Sequence, residues 1–195
     1  MVIAMEAPLV SACSAPLEVR YEQEPPRLVR WGFHPSPYNP LMIGLTPDNV
    51  VCRIAFANKR SAKAILKEWK HEWPRTSFVK DQDATANIVL QMFGKKGLLK
   101  LHMTGTKFQQ AVWKEMLKVP QGHVVSYATI ARKIKRPKAV RAVGTACGAN
   151  PVPILVPCHR VIASNGGLGG FGGGLKLKMR LLKAEGYPSG RQLWA

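Results

Sequence analysis

Acidic side chains are scarce in this chain of 195 residues: 11 Asp and Glu stand against 29 Lys and Arg, a formal net charge of +18. A field of that sign favours a polyanionic partner, most simply nucleic acid. Long apolar runs are missing. Nothing approaches the roughly 20 consecutive apolar residues of a membrane span, and no stretch pairs a basic face with a long apolar one, so no membrane role is expected. Residues 1–16 lack a basic n-region and are interrupted by Glu6 and Pro8, which argues against a signal peptide. The four cysteines, Cys13, Cys52, Cys147 and Cys158, show no CxxC spacing, and no histidine pair stands at finger spacing. No metal site is therefore assigned, and reduced thiols in a cytoplasmic protein are expected.

What is present divides at about residue 100. In residues 1–100, a strand-like run at residues 28–33 leads into a proline-rich loop. Residues 41–45 and 50–56 flank Thr46-Pro47-Asp48-Asn49, the pattern of a β-hairpin. Ala62, Ile65, Leu66 and Trp69 recur at helical spacing within residues 59–73, and residues 83–93 make a second helix before Gly94. This half gathers no catalytic residue types and reads as a scaffold.

Residues 101–195 are different. Thr106-Lys107-Phe108-Gln109 has the form of a capping box, with Phe108, Val112 and Met116 on one stripe of the helix it opens. Ser126 can cap a short helix over residues 127–135. Arg136-Pro137-Lys138 then turns into a helix over residues 139–149, with Pro137 suited to the first helical position and Asn150-Pro151 as the stop. Two short helices across a basic turn resemble a helix-turn-helix.

The second of those helices lacks the side chains that read bases. Ala139, Ala142 and Gly144 are typical of it, and Arg141 is its only long polar residue. Such a surface cannot discriminate base pairs by hydrogen bonding. It can lie close against a groove, with backbone amides and lysines such as Lys138 on phosphates, which is sequence-tolerant binding. A lone arginine there can fill the gap left by a base turned out of the stack.

The reactive candidate is Cys158 in Pro157-Cys158-His159-Arg160-Val161, set among cations. If residues 153–161 are extended, Cys158 and His159 point to opposite sides, so the histidine would act through a water. Glu185 is the best-placed acid to orient His159, its alternative being an exposed helix-end carboxylate. Residues 166–174 are glycine-rich. Phe171 within them, with Leu175 soon after, points to a loop folded on the body rather than a linker, a wall in which Gly169 and Gly172 could bring backbone close to a base. Other readings are a non-enzymatic lesion-binding protein, against which the presence of Cys158 argues, a redox-sensing DNA-binding regulator, for which base-reading side chains are missing, and a cysteine hydrolase, which explains neither the charge nor Arg141.

The segments Ser126-Tyr127, Arg141-Ala142-Val143-Gly144, Asn150-Pro151-Val152-Pro153-Ile154, Pro157 to Val161 and Leu181-Leu182-Lys183-Ala184-Glu185-Gly186 keep order and spacing. Over residues 108–186 the chain resembles the O6-alkylguanine-DNA alkyltransferase family. The resemblance implies an α+β fold, with a small ribonuclease H-like α/β domain in residues 1–100 and a mainly helical, winged-helix-like domain in residues 101–195. It implies double-stranded DNA carrying O6-alkylguanine as partner, bound from the minor groove by a monomer, with cooperative assembly on DNA left open and no cofactor. Cys158 would accept the alkyl group once, with His159 activated by Glu185, Tyr127 donating to the flipped guanine and Asn150 bracing the turn. Arg141 would be the finger. Backbone at Cys158 and Val161 would read the guanine amine. Gly172 stands where many members have Ser, and Phe171 where some have Tyr.

Overall fold

In this computed structural model, residues 16–94 and 97–187 are described. The expectations for the leading residues and for Cys13 fall outside them. Strands β1 (Leu17–Glu22), β2 (Leu28–His34), β3 (Leu41–Leu45), β4 (Val51–Phe56), β5 (Ser77–Lys80) and β6 (Leu99–Thr104) form one sheet in the order β1-β6-β4-β3-β2-β5. β2, β3 and β4 are antiparallel neighbours, whereas β5 joins β2, and β6 joins β4 and β1, in parallel. The expected hairpin is the β3–β4 pair. Its turn closes with Thr46 N–H donating to Val50 O at 2.9 Å, and Asn49 takes the left-handed conformation (φ 61°) that Asn tolerates.

β3 shows why the sheet is covered on both faces. Alternate residues of a strand point to opposite sides. Leu41, Ile43 and Leu45 enter the main core with Val89 and Met92 of α2 (Gln82–Gly94), while Met42 packs with Ile65 and Trp69 of α1 (Ala62–Glu72). Ser61 caps α1 by accepting from the Ala64 amide.

The remaining elements are α3 (Lys107–Leu117), β7 (Val125–Ser126), α4 (Tyr127–Lys133), α5 (Val140–Gly148), a 3₁₀ turn (Cys158–Arg160), β8 (Val161–Ile162) and α6 (Leu175–Ala184). The capping box at Thr106 and Gln109 forms in full, and Ser126 caps α4 by accepting from the Thr129 amide. Core residues of α3 and α5, Val112, Trp113, Met116, Val143 and Ala146, join the same cluster as the sheet. The chain is thus a mixed α/β protein with a core continuous between its halves.

Four expectations change. The sequence pattern does not predict β1 and β5: β1 alternates cleanly but is rich in charge, and β5 is a short, mostly exposed edge strand. β6 runs through residue 100, so the sheet takes in residues 99–104 as well. Pro137 does not open α5. Lys135 leaves α4 in the left-handed region (φ 59°) and the Arg136 and Ala139 amides close further turns, so the helix starts at Val140 with Ala139 at its N-cap. Finally, Cys158 and His159 are not in an extended run. Pro153 and Pro157 remove ladder donors, and the chain coils, with Arg160 N–H on Pro157 O at 3.0 Å, until Val161 pairs with Val125.

Candidate active site

A cavity of about 770 Å³ opens between the sheet and the helical half. Its wall includes Cys158, Tyr127, Asn150, Gly144, Phe171 and Gly172. Two backbone elements bring the first two together: β7 leads directly into Tyr127, β8 leads directly out of the turn that carries Cys158, and the two strands pair in parallel.

Cys158 is 8% exposed. Burial pushes its thiol above the ordinary range, against opposing help from the Asn150 side chain and the Lys178 ammonium. At neutral pH the sulfur therefore carries its proton at rest and needs a base. His159 comes next in the chain and is fully buried, its Nε2 2.8 Å from Oε1 of Glu185. Burial holds the imidazole below its usual value, and only in part does Glu185 offset this. A neutral ring that donates Nε2–H to a carboxylate keeps its lone pair on Nδ1. Nδ1 is itself buried and has no hydrogen-bond partner among the described residues.

Glu185 is not an exposed helix end. It caps α6 at 8% exposure. Burial alone would raise its pKa, but bonds from His159 and Arg160 outweigh that and hold the carboxyl below its usual value. Arg160 grips it through Nε and Nη2 at 2.9 and 2.8 Å and donates from Nη1 to Val119 O at 2.7 Å. This fork satisfies the buried anion and fixes the oxygen that faces the imidazole.

Asn150 donates from Nδ2 to Val156 O at 2.7 Å and accepts from the Val152 amide at 3.1 Å, cross-bracing the chain between α5 and the cysteine turn. Burial raises the Tyr127 phenol pKa, with Cys147 and Cys158 adding to it, so the hydroxyl stays protonated as a donor. Phe171 packs on the core and meets His159 edge-on at 6.5 Å, so the glycine-rich segment is folded onto the body. Lys138, Arg141 and Ala142 are exposed on and before α5, while Ala139 and Gly144 are half-buried. Neither Gly169 nor Val161 is among the residues that line the cavity. A Cβ at Gly169 would lie 2.7 Å from the Tyr127 hydroxyl, and Val161 is fully buried, its carbonyl accepting from Lys178 Nζ at 2.6 Å.

Known proteins resemble this chain in sequence and fold. The family model described as 6-O-methylguanine DNA methyltransferase, DNA binding domain, matches residues 107–187. A methylated-DNA–protein-cysteine methyltransferase of Mycobacterium tuberculosis (strain H37Rv) is 52% identical over 148 residues, spanning 72% of this chain and 90% of the relative. One from Methanosarcina mazei is 38% identical over 151 residues, spanning 77% and 92%. This chain belongs to the 6-O-methylguanine DNA methyltransferase family. Its fold agrees: the crystal structure of Mycobacterium tuberculosis OGT in complex with DNA superposes with a TM-score of 0.65 at 34% identity, covering 83% of this chain and 96% of that one.

Within this methyltransferase, sequence reasoning misses three residues. Arg160 reads in the sequence only as a flanking cation, and its spacing from Glu185 carries no signal that they meet. Lys178 is fully buried and its pKa is pushed down to about 8 by desolvation, with Cys158 and Cys147 partly opposing. Its signal is legible, since it shares the apolar face of α6 with Leu181 and Leu182. Cys147 lines the cavity too, but burial raises its thiol to about 12 and its S–H points to Met116 Sδ at 3.5 Å, which leaves it inert.

Proposed function

We propose that this methyltransferase repairs O6-alkylguanine in double-stranded DNA by moving the alkyl group onto Cys158, once per molecule. The observation that carries the reading is a cavity-lining cysteine followed in the chain by a buried histidine whose Nε2 meets Glu185 and whose Nδ1 has no partner among the described residues; burial raises the thiol and lowers the imidazole, which favours a protonated sulfur and a neutral ring.

In the step, the Cys158 sulfur attacks the alkyl carbon opposite the C–O6 bond. The S–C bond forms as C–O6 breaks, and the bonding pair leaves on the purine. The thiol proton passes to His159, with a bridging water as carrier, and Glu185 stabilises the imidazolium that results. Tyr127 donates its proton to the departing guanine so that it leaves as a neutral base, and the proton taken up by His159 returns through solvent to the phenolate. A thioether is a poor leaving group, and Cys147 is too basic to serve as a second nucleophile, so the product is stable. The chemistry calls for no cofactor.

DNA binding resides in the same half. α4 and α5 act as a helix-turn-helix within a winged-helix-like unit, laid on the minor groove with Lys138, Ala139, Ala142 and Gly144 against the backbone. Arg141, exposed on α5, takes the place of the flipped nucleotide. Gly169, Phe171, Gly172 and the backbone at Val161 shape the base pocket. The N-terminal sheet is a ribonuclease H-like scaffold, and we place the junction between the two domains at Gly105, after β6. The protein is a cytoplasmic monomer, associated through DNA binding with the nucleoid or nucleus, and cooperative assembly on DNA is left open.

The test is an intact-mass measurement after incubation with a duplex carrying one O6-methylguanine. A gain of one methyl group, mapped to Cys158, is expected, with Cys158→Ala binding the duplex but gaining nothing. An unchanged wild-type mass beside an intact lesion would falsify the reading.

A further inference from the structure

The glycine-rich loop is tied to its surroundings by several hydrogen bonds, that between the Gly170 backbone and the Tyr127 phenol among them. Near its start, the Leu168 carbonyl accepts from Lys178. Within it, the Gly172 carbonyl accepts from Asn58 Nδ2 at 3.4 Å. Asn58 belongs to the other half of the molecule, in the loop after β4, where it adopts a left-handed backbone (φ 45°).

Asn58 is in turn fixed from behind. Its Oδ1 accepts from Asn39 Nδ2 at 3.2 Å, and the Ala57 amide donates to Pro40 O at 2.8 Å. The Asn39 turn is closed by Ser36, whose hydroxyl donates to Asn39 O at 2.5 Å and accepts from the Asn39 amide at 3.3 Å. The same loop is clamped to α6, where Arg180 donates from Nη1 to Tyr38 O at 2.5 Å and from Nη2 to Pro37 O at 3.1 Å. A continuous hydrogen-bonded clasp therefore runs from α6, through residues 36–40 and Asn58, to the carbonyl of Gly172. Independently, Phe56 and Arg60, which flank this loop, line the same cavity as Phe171 and Gly172.

We infer that Asn58 is a positioning residue through which the N-terminal half holds the glycine-rich wall of the base pocket in its closed place; the inference rests on the alkyl transfer proposed above. The physical need is plain. Gly169, Phe171 and Gly173 are packed, but Gly170 and Gly172 have nothing within 4 Å of where a Cβ would be, so at those two positions no side-chain contact restrains a backbone that is entropically costly to order. A donor from a rigid neighbour supplies the missing restraint before substrate arrives, which is preorganisation rather than binding.

Two substitutions isolate the bond. Asn58→Asp keeps tolerance of the left-handed backbone and the acceptor for Asn39, but removes the donor to Gly172 and sets a carboxylate against its carbonyl. Asn58→Gly removes the side chain without backbone strain. Both full-length variants and wild type are compared by amide hydrogen exchange at residues 169–174 and by single-turnover transfer against concentration of an O6-methylguanine duplex. The expected result is loop exchange about fivefold faster and a saturating transfer rate about fivefold lower, the size of one net hydrogen bond. The half-saturating DNA concentration and the thermal midpoint stay at wild-type values. Wild-type exchange and rate in both variants overturn the inference, as does a loss confined to DNA affinity or to global stability. If wild type itself transfers nothing, the function proposed above fails, and the exchange measurement alone decides whether Asn58 holds the loop.

Discussion

Nε2 of His159 lies 2.8 Å from Oε1 of Glu185, and both side chains are fully excluded from solvent. A single carboxylate thereby orients the base and neutralises Arg160. Glu185→Gln leaves that buried guanidinium without a counter-charge, a loss of about 3–5 kcal/mol. Chemical denaturation should show a destabilised variant, and any purified protein should transfer more slowly.

The same pair gives stability a pH dependence of definite sign. His159 is held below 6.5 and Glu185 below 4.5. As pH falls past 6.5, unfolded His159 takes up a proton that the folded ring refuses, so stability declines. Below 4.5 unfolded Glu185 does the same, and its stabilisation is lost as pH drops through the folded value. The thermal midpoint should decrease steadily from pH 7 to 4; a flat profile would contradict the assigned burial.

Transfer rate has its own profile. With His159 neutral and the Cys158 thiol protonated, the reactive state is constant between the lowered histidine value and the raised thiol value. Lys178 loses its ammonium near pH 8, which withdraws support for the developing thiolate. The wild-type rate should therefore be level around neutrality and fall above about pH 8. Lys178→Met should be slower and level across that range. A wild-type rate that climbs tenfold per unit through pH 9 would mean a preformed thiolate and no role for His159 as base.

Two glycines of one loop predict opposite outcomes. Gly169 is left-handed (φ 65°), and an added Cβ would stand 2.7 Å from the Tyr127 hydroxyl and 2.9 Å from its ring. Gly169→Ala should displace the donor and slow transfer by on the order of 10²-fold, the scale of losing one preorganised donor. At Gly172 a Cβ meets open space. Gly172→Ser should fold normally and transfer at least as fast as wild type, since it adds a hydroxyl to the pocket. Single-turnover rates on the same duplex compare the two.

Arg141 is exposed and belongs to no ion pair among the described residues. Arg141→Ala should slow repair in duplex more than in single strands, where no partner base is orphaned. Equal slowing in both would count against a finger role.

Much of the site is legible in the sequence because its signals are local. Capping at Thr106 and Ser126 needs only neighbours in sequence, and both caps form. The pairing of His159 with Glu185 is expected because Glu185 is the best-placed acid downstream of it, and the structure brings them into contact. The features that escape depend on distance in the chain. Arg160 meets Glu185 across 25 positions, and β6 pairs with β1 across the whole sheet segment. The extended reading of the cysteine segment fails for a different reason: β-branched residues mark a strand, but the prolines leave it no ladder to join before Val161.

The pairing of Val125 with Val161 and Ser126 with Ile162 has a consequence for the reacting groups. Side-chain direction in a strand reverses at each residue, so a slip of one position would send the flanking residues of each strand to the other side. Tyr127 and Cys158 flank this ladder, one just past β7 and the other shortly before β8, and their facing is thus a matter of register. Proton donor and sulfur are held in phase by the ladder, with the Asn150 side chain on the thiol and the Gly170 backbone on the phenol adding to the hold.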